Sequence, residues 1–361
     1  CKYQTPQAEA CATGSKDRRG LRMRPLTLRR LLWTCGGLAV LLLACVVLAL
    51  KLGAVPISVT DLVLDLGRIA IGRANELPTE YRLIVFDLRL PRILLGILVG
   101  AALSVAGASF QALLRNPLAD PYVLGVSSGA ALGSILALIL APGLALITPL
   151  GAFLGAIATI AGVYFLGRRE GQLDSTTLLL AGIICASFFS AIILFLMTTL
   201  TGRDLRGMAY WLMGDLSTPV SAEMQWIFTV GLIAGIGAIY STSADLNLLL
   251  TGEREAIHLG VEVTRVKLVV YVSASLLTAL AVSASGAIGY VGLLVPHAVR
   301  LIFGSDYRLL IPASALCGAI AIVLADTLAR TIVSPTELPV GAMTAMAGAP
   351  VFIYLLRRGL R

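Results

Sequence analysis

The chain has 361 residues, of which 58% are hydrophobic and 13% charged, with a mean hydropathy of +0.91. Soluble domains average about 45–50% apolar and about 25% charged residues, so the composition excludes an ordinary soluble protein and indicates membrane spans. The formal net charge is +8, but seven basic residues lie in segment 16–30, where they indicate membrane orientation and contact with anionic lipid rather than nucleic-acid binding.

The N-terminal segment 1–28 reads as a basic cytoplasmic tail. Its first 22 residues are polar and start with cysteine, and Met23 is a reasonable natural start. We therefore interpret this segment as partly disordered or as an addition to the native chain, and we expect residues 29–361 to form a single membrane domain.

The sequence Leu-Leu-Ala-Cys at 42–45 resembles a lipoprotein cleavage box behind a basic segment. Cleavage there would leave Cys45 as the first residue and remove the first helix. The apolar run continues to Leu50, however, and this continuation favours a complete membrane span.

Uncharged stretches long enough to cross a membrane recur along the chain, since an apolar helix of about 20 residues spans the hydrocarbon core. They are 31–50, 93–114, 121–167, 175–202, 224–244, 268–296, 309–325 and 338–356. The stretch 121–167 is long enough for two spans that turn at Pro142-Gly143, and region 268–303 supplies two if it breaks near 286–289. The second of these would be short and carry Pro296. Because the runs lack strand-like alternation, we expect an all-α polytopic fold with about ten transmembrane helices.

Basic residues predict the orientation of these helices, since Lys and Arg accumulate in cytoplasmic flanks. The basic N-terminal segment and the C-terminal Arg357, Arg358 and Arg361 place both termini in the cytoplasm, which requires an even number of crossings. The ten-helix arrangement meets this requirement.

The segment Gly125-Val126-Ser127-Ser128-Gly129 matches the G-x-S-x-G pattern of serine hydrolases. No strand precedes it, and the chain has two histidines to serve as a base, His258 and His297. The alternative is helix packing, because Gly125, Gly129 and Gly133 recur every four residues and let two backbones approach closely. The sequence favours packing.

Ionisable groups at membrane depth are scarce, which argues against an ion-coupled carrier. Asp326 is the main candidate, and Arg330 lies one turn later at the spacing of an ion pair. No Walker A motif, G-x-x-x-x-G-K-[ST], occurs in the sequence, so nucleotide hydrolysis would require a partner. The six cysteines have no zinc or disulfide spacing, and we expect no metal or cofactor on this chain.

The connection between the sixth and seventh spans contains GEREAIHLG at 252–260, which predicts one short helix. Thr251 is a possible N-cap, Glu253 and Glu255 suit the positive N-terminal end, and Gly260 suits the stop. Such a helix is suited to docking a partner, although a solvated loop is the simpler alternative.

Seven long segments resemble the FecCD-type permeases of ABC importers for ferric siderophores, haem and cobalamin, in the family's order from about residue 30 to the C-terminus. They are 89–133, 175–182, 211–217, 252–261, 286–312, 324–330 and 337–356. The resemblance implies a ten-helix permease in the inner membrane that forms a homodimer, with two ATPase subunits below it and a periplasmic or lipid-anchored binding protein above. ATP-Mg would be bound by the ATPase, and the permease itself would not be an enzyme.

The resemblance also implies roles for particular residues, by match to the family's motifs. The coupling helix matches 252–261, so Gly252, Glu253, Arg254, Glu255, Leu259 and Gly260 would lie at the ATPase. The outer docking arginines match Arg89, Arg92 and Arg330; for Arg89 and Arg92, anchoring at the lipid interface is the alternative. The cytoplasmic gate matches Asn116, Leu118, Ser175 and Thr176, with the last pair in reversed order and Asp174 as an extra charge.

By family breadth we expect an iron–siderophore complex as cargo, with haem or cobalamin as alternatives. The rivals from other classes are an ion-coupled carrier built around Asp326 and an intramembrane hydrolase using Ser127 or Ser128.

Overall fold

The computed structural model describes residues 27–53, 55, 57–58, 83–141, 146–169, 172–198, 202–218, 220–333 and 336–357. Several predicted features lie outside the described residues: nearly all of the basic tail, the turn at Pro142-Gly143, and the C-terminal Arg358 and Arg361. Within these ranges the fold is helical, as predicted, apart from a two-residue antiparallel pairing of 168–169 with 172–173.

Seven described helices are long and apolar enough to cross a membrane. They are α1 (Leu28–Lys51), α2 (Leu83–Leu113), α4 (Ile147–Gly167), α5 (Ser175–Met197), α7 (Ala222–Ser241), α10 (Val263–Ser285) and α12 (Tyr307–Thr331). Three shorter apolar helices are α3 (Val126–Leu140), α11 (Val291–Phe303) and α13 (Val340–Arg357). The connections hold α6 (Gly202–Leu212), α8 (Ser243–Leu249), α9 (Glu253–His258) and a 3-10 turn at Pro121–Leu124. The described part of the chain therefore has the ten apolar helices expected from the sequence.

Two helices differ from the sequence prediction because they contain charges. α2 begins at Leu83 rather than near residue 93, and its first seven residues, Leu83–Arg89, are π-helical. The uncharged stretch begins later than the helix, because Asp87, Arg89 and Arg92 belong to the helix. The amphipathic α6 was not predicted, since its sequence includes Arg203, Asp204 and Arg206.

The predicted break between α10 and α11 is confirmed at residues 286–290. Gly286 has φ +66°, and a Cβ there would collide with the Trp211 carbonyl oxygen. Backbone groups that lose their helical partners at the break must be satisfied by other groups, because water is scarce within a membrane. Asp215 N donates to Ser285 O at 2.8 Å, and Ile288 N donates to the Tyr122 hydroxyl at 3.0 Å. The short α11 contains Pro296, also as predicted.

α2 is the central helix of the bundle and packs against α1, α10, α11 and α12. Its sequence alternates small residues with larger apolar ones, so neighbouring backbones come very close. A Cβ on Gly100 would collide with the backbone of Gly318 in α12, and a Cβ on Gly107 with that of Gly292 in α11. Dispersion contacts and close packing hold these helices together, because burial from lipid supplies little hydrophobic gain.

The G-x-S-x-G segment lies at the start of α3, where its glycines pack against neighbouring helices: Gly125 against α5 and Gly129 against α4. Gly129 and Gly133 lie against the backbones of Gly155 and Gly151, where added Cβ atoms would collide. Ser128 Oγ donates to Gly125 O at 2.9 Å, within its own helix. These contacts confirm the packing interpretation of the motif.

We predict that Gly100→Ala destabilises the protein, because the new methyl group meets backbone atoms that cannot move aside cheaply. A loss of about 1–3 kcal/mol in the free energy of unfolding is expected for such overpacking. Gly37→Ala in α1 is the matched control: nothing lies within 4 Å of the added Cβ. There the change should be neutral or stabilising by about 0.5–1 kcal/mol. Thermal unfolding in detergent measures both, and equal midpoints would contradict close packing at Gly100.

Candidate functional site

Charged side chains cluster at both ends of the helix bundle. We call the end that carries the start of α1 and the end of α13 the terminal end, and the other the opposite end. At the terminal end, the Arg30 guanidinium donates to Phe303 O at 2.5 Å and so joins α1 to the end of α11. At the opposite end, Gln225 Nε2 donates to Pro91 O at 2.8 Å and joins α7 to α2.

α9 lies at the terminal end and confirms the predicted short helix, with two differences. It covers Glu253–His258, and its N-cap is Gly252, whereas the predicted cap Thr251 donates its hydroxyl to Leu248 O at 2.7 Å. The prediction of Thr251 as N-cap is therefore wrong. Gly260 follows the helix with φ +87°, a conformation that suits glycine, as the predicted stop requires.

The predicted coupling residues of α9 divide into two groups. Arg254, Glu255, Leu259 and Gly260 are exposed, and together they form a free surface at the terminal end. Glu253 instead turns toward the bundle, where its Oε1 atom lies 2.8 Å from Lys267 Nζ and 3.3 Å from Arg115 Nη2. No sequence signal pointed to Arg115 or Lys267, since both are distant from Glu253 along the chain.

The predicted gate residues come from two segments that the fold brings together. Ser175 Oγ, at the start of α5, donates to Leu113 O at 3.1 Å, the last residue of α2. Asn116 Oδ1 accepts from Leu118 N at 2.9 Å and holds the turn that follows α2. Thr176 is exposed beside Ser175.

Asp174 has a structural role, which the sequence did not reveal. Its Oδ1 atom accepts from Thr177 N at 3.1 Å and from Thr177 Oγ1 at 2.6 Å, so the side chain caps the N-terminus of α5. A carboxylate is favourable there because the first backbone N–H groups of a helix lack partners.

A second connection at the terminal end joins α8 to the start of α12. Asn247 Nδ2 donates to Asp306 Oδ1 at 2.8 Å, and Asn247 Oδ1 accepts from Tyr307 N at 2.9 Å. Burial by itself raises the pKa of Asp306, but hydrogen bonds from Arg308 and Asn247 outweigh it and hold the pKa below its usual value. The segment that precedes α9 is therefore fixed to the bundle.

At the opposite end, Asp326 forms ion pairs with two arginines. Arg92 Nε and Nη2 lie 2.9 and 2.8 Å from Asp326 Oδ1, and Arg330 Nε lies 3.1 Å from Asp326 Oδ2. The predicted pairing of Asp326 with Arg330 is thus confirmed. Arg92 also donates through Nη1 to Glu337 Oε2 at 2.6 Å. Its two carboxylate partners, Asp326 and Glu337, lie 234 and 245 residues further along the chain.

The three arginines predicted to dock a binding protein do not form one exposed patch. Arg89 and Arg330 are buried, and both bind the last turn of α1: Arg89 Nη1 donates to Leu50 O at 2.6 Å and Arg330 Nη2 to Ala49 O at 3.3 Å. Carbonyl groups at a helix C-terminus carry partial negative charge, which makes arginine favourable there. Arg92 has 11% of its side chain exposed, and its partner Glu337 has 46%. The surface part of this cluster is therefore Arg92 with Glu337.

Two cavities lined by residues that the structure describes open near the opposite end. One, of about 330 Å³, lies between α6, the start of α7 and the end of α10, and its lining includes Met208, Trp211 and Asp215. The other, of about 270 Å³, borders Arg92 and Glu337. Small-ligand pockets are about 300–1,000 Å³, so each cavity is at or below the lower limit of that range.

The sequence pattern of the FecCD transport family matches residues 41–358. The chain belongs to this family. The permease protein YvrB of Bacillus subtilis, an ABC transporter component, is 45% identical over 77% of this chain and 80% of its own. The cobalamin import system permease BtuC of Halobacterium salinarum is 44% identical over 78% and 75%, and the hemin transport system permease HmuU of Yersinia pestis is 41% identical over 75% and 82%.

The fold of this FecCD protein is similar to that of a solved ABC transporter described as metal-chelate type and inward-facing. The TM-score is 0.77 at 33% sequence identity, covering 90% of this chain and 98% of the other. A second similar structure, PsaBC from Streptococcus pneumoniae, has a TM-score of 0.54 at 20% identity and supports the fold alone. The chain is accordingly a polytopic membrane protein of the ABC permease class.

We predict that Asp326→Asn strongly destabilises this permease. The change leaves Arg330 and Arg92 without their shared carboxylate, and removing one partner of a buried pair costs about 3–5 kcal/mol in the free energy of unfolding. Glu337→Gln, which removes a half-exposed carboxylate from the same Arg92, should cost about 0–1 kcal/mol. Thermal unfolding in detergent compares the two, and similar midpoints would show that Asp326 does not hold the cluster together.

Proposed function

We propose that this chain is the membrane-spanning permease subunit of an ATP-driven ABC importer, located in the cytoplasmic membrane, with an iron–siderophore complex as cargo. The observation that supports it best is the family match over 41–358, together with the ABC transporter fold at a TM-score of 0.77. Haem and cobalamin are the second candidates, because relatives at 41% and 44% identity are named as hemin and cobalamin permeases.

A second copy of the chain is proposed as the first partner. Among the cavities lined by described residues, those of about 330 and 270 Å³ are too small for a bulky chelate to pass, so the path would lie between two copies. ATPase subunits are the second partner, since the sequence lacks a Walker A motif. ATP-Mg would bind on those subunits, and no cofactor is proposed for this chain.

The exposed side of α9 is the proposed contact with the ATPase. Arg254, Glu255 and Leu259 provide charged and apolar groups on a short helix whose ends are set by Gly252 and Gly260. The proposed cytoplasmic gate consists of Asn116 and Leu118 with Ser175 and Thr176. The contact of Ser175 with the end of α2 supports the proximity of the two pairs.

A periplasmic or lipid-anchored binding protein is the proposed partner at the opposite end. There Arg92 and Glu337 would provide the accessible groups, because Arg89 and Arg330 are buried. Arg89 and Arg330 would support this surface from below by holding α1 and Asp326 in place.

The proposal predicts ATP-driven uptake into proteoliposomes that contain the permease with its partner ATPase and binding protein. Uptake of a ferric hydroxamate, haemin or cyanocobalamin should require ATP hydrolysis and be unaffected by an uncoupler, because the described spans offer little to couple an ion. Uptake that proceeds without ATP but collapses with an uncoupler would favour a carrier built around Asp326. The variant Ser127→Ala should transport normally. Loss of activity in this purified variant would instead favour an intramembrane hydrolase.

Orientation gives a separate prediction. Ten crossings with a cytoplasmic N-terminus place α9 in the cytoplasm and the α6–α7 connection in the periplasm. Reporter fusions after residue 257 should therefore signal cytoplasm, and fusions after residue 217 should signal periplasm. The reverse pattern would contradict the orientation but not the family.

A further inference from the structure

The carboxylate of Glu253 joins three separate elements at the terminal end. Its Oε1 atom contacts Lys267 Nζ in α10 at 2.8 Å and Arg115 Nη2 after α2 at 3.3 Å, while Glu253 itself begins α9. The Lys267 side chain is 11% exposed, so it fixes one side of the cluster to the bundle. Arg115 is 44% exposed and is the less confined of the two partners.

The backbone at Arg115 is unusual for its residue type. Arg115 N donates to Ala112 O at 3.2 Å and Asn116 N to Gln111 O at 3.2 Å, the pair of bonds that closes a helix in a Schellman motif. The left-handed position of that motif is normally glycine, yet Arg115 occupies it with φ +47°. A residue held in a disfavoured conformation points to a use for its side chain, and here that side chain reaches Glu253.

Arg115 directly precedes the proposed gate segment. Asn116 and Leu118 form the turn that follows it, tied by the bond from Leu118 N to Asn116 Oδ1 at 2.9 Å. Ser175 of the other gate pair binds Leu113 O, two residues before Arg115. A displacement of the Arg115 side chain would therefore act on a short turn that is held by its own hydrogen bond, rather than on a flexible loop.

We propose that the Glu253–Arg115 ion pair is a mechanical link that carries movement of α9 to the gate segment at 116–118. Glu253 is then a positioning residue that acts inside the permease, separate from the exposed residues of α9 that would meet the ATPase. The proposal rests on the proposed function, because it assumes that α9 moves with an ATPase and that 116–118 gates the path. Lys267 holds the carboxylate in place while Arg115 transmits its position.

The alternative is that the cluster only stabilises the fold. Arg115→Gly separates the two roles: glycine suits the left-handed backbone at this position better than arginine, so the variant should be at least as stable as the natural protein. It removes the guanidinium, however, and would break the link. Glu253→Gln removes the charge at nearly constant size. The matched control is Glu262→Gln, which breaks the exposed surface pair with Arg265 close to α9.

The experiment measures gate movement in the assembled complex. Leu118→Cys is introduced into a permease without native cysteines, the ATPase is bound, and the maleimide labelling rate at position 118 is compared with and without ATP. We expect the ATP-dependent change in that rate to fall about five- to tenfold in Glu253→Gln and in Arg115→Gly, while the control keeps it. ATPase co-purification should stay at the level of the control in all variants. The double variant should lose no more than either single variant, because both break the same contact.

Several results would overturn the link. Labelling changes like those of the control in both variants would exclude it, as would additive losses in the double variant. A lower thermal midpoint for Arg115→Gly than for the control would assign the cluster to stability, and loss of ATPase binding in Glu253→Gln would assign that residue to docking. If Leu118→Cys alone shows no ATP-dependent change, the proposed gate role of 116–118 fails, which is a different outcome from failure of the link.

Discussion

Close contact between backbones that carry no intervening side chains is the constraint on which this structure depends. α2 reaches α12 and α11 through Gly100 and Gly107, at positions where a methyl group would collide with backbone atoms. In lipid, apolar burial gives little preference for one helix neighbour over another, so the fit of these surfaces selects the arrangement. α3 and α4 repeat the device through Gly129, Gly133, Gly151 and Gly155. The same contacts explain why a hydrolase-like sequence pattern can occur in a packing surface.

The central helix also connects the two charged clusters. Arg89 and Arg92 lie near the beginning of α2 and bind α1, α12 and Glu337, while Arg115 directly follows its C-terminus and contacts Glu253. Both clusters pair charges between segments that are distant in sequence. A well-packed helix between them is a rigid element with few ways to bend, which suits a protein whose two ends would have to respond to different partners.

The proposed roles of the arginines show how burial changes an interpretation. Arg89, Arg92 and Arg330 match one set of family motifs, but the fold gives each a different environment. Arg89 closes the end of α1, Arg330 shares Asp326 and also reaches α1, and Arg92 alone approaches the surface through Glu337. Glu253 changes in the same way, since it belongs to the coupling segment by sequence but faces inward. In both cases the sequence indicated where the charged residues lie along the helices, but it did not indicate which way their side chains point.

Hydropathy, charge placement and glycine spacing in the sequence determined the helical class, the ten apolar helices, the break after Ser285, the short helix with Pro296 and the stop at Gly260. These features depend on residues close together in the chain, whose preferences act locally. These sequence features did not predict α6 or the first turns of α2, because charged residues lower the hydropathy of these segments. Only the tertiary structure decided that Asp326 also binds Arg92 and that Glu253 binds Arg115 and Lys267. An ion pair requires two side chains to meet in space, and helices from distant parts of the chain meet according to their packing surfaces, which no local pattern specifies.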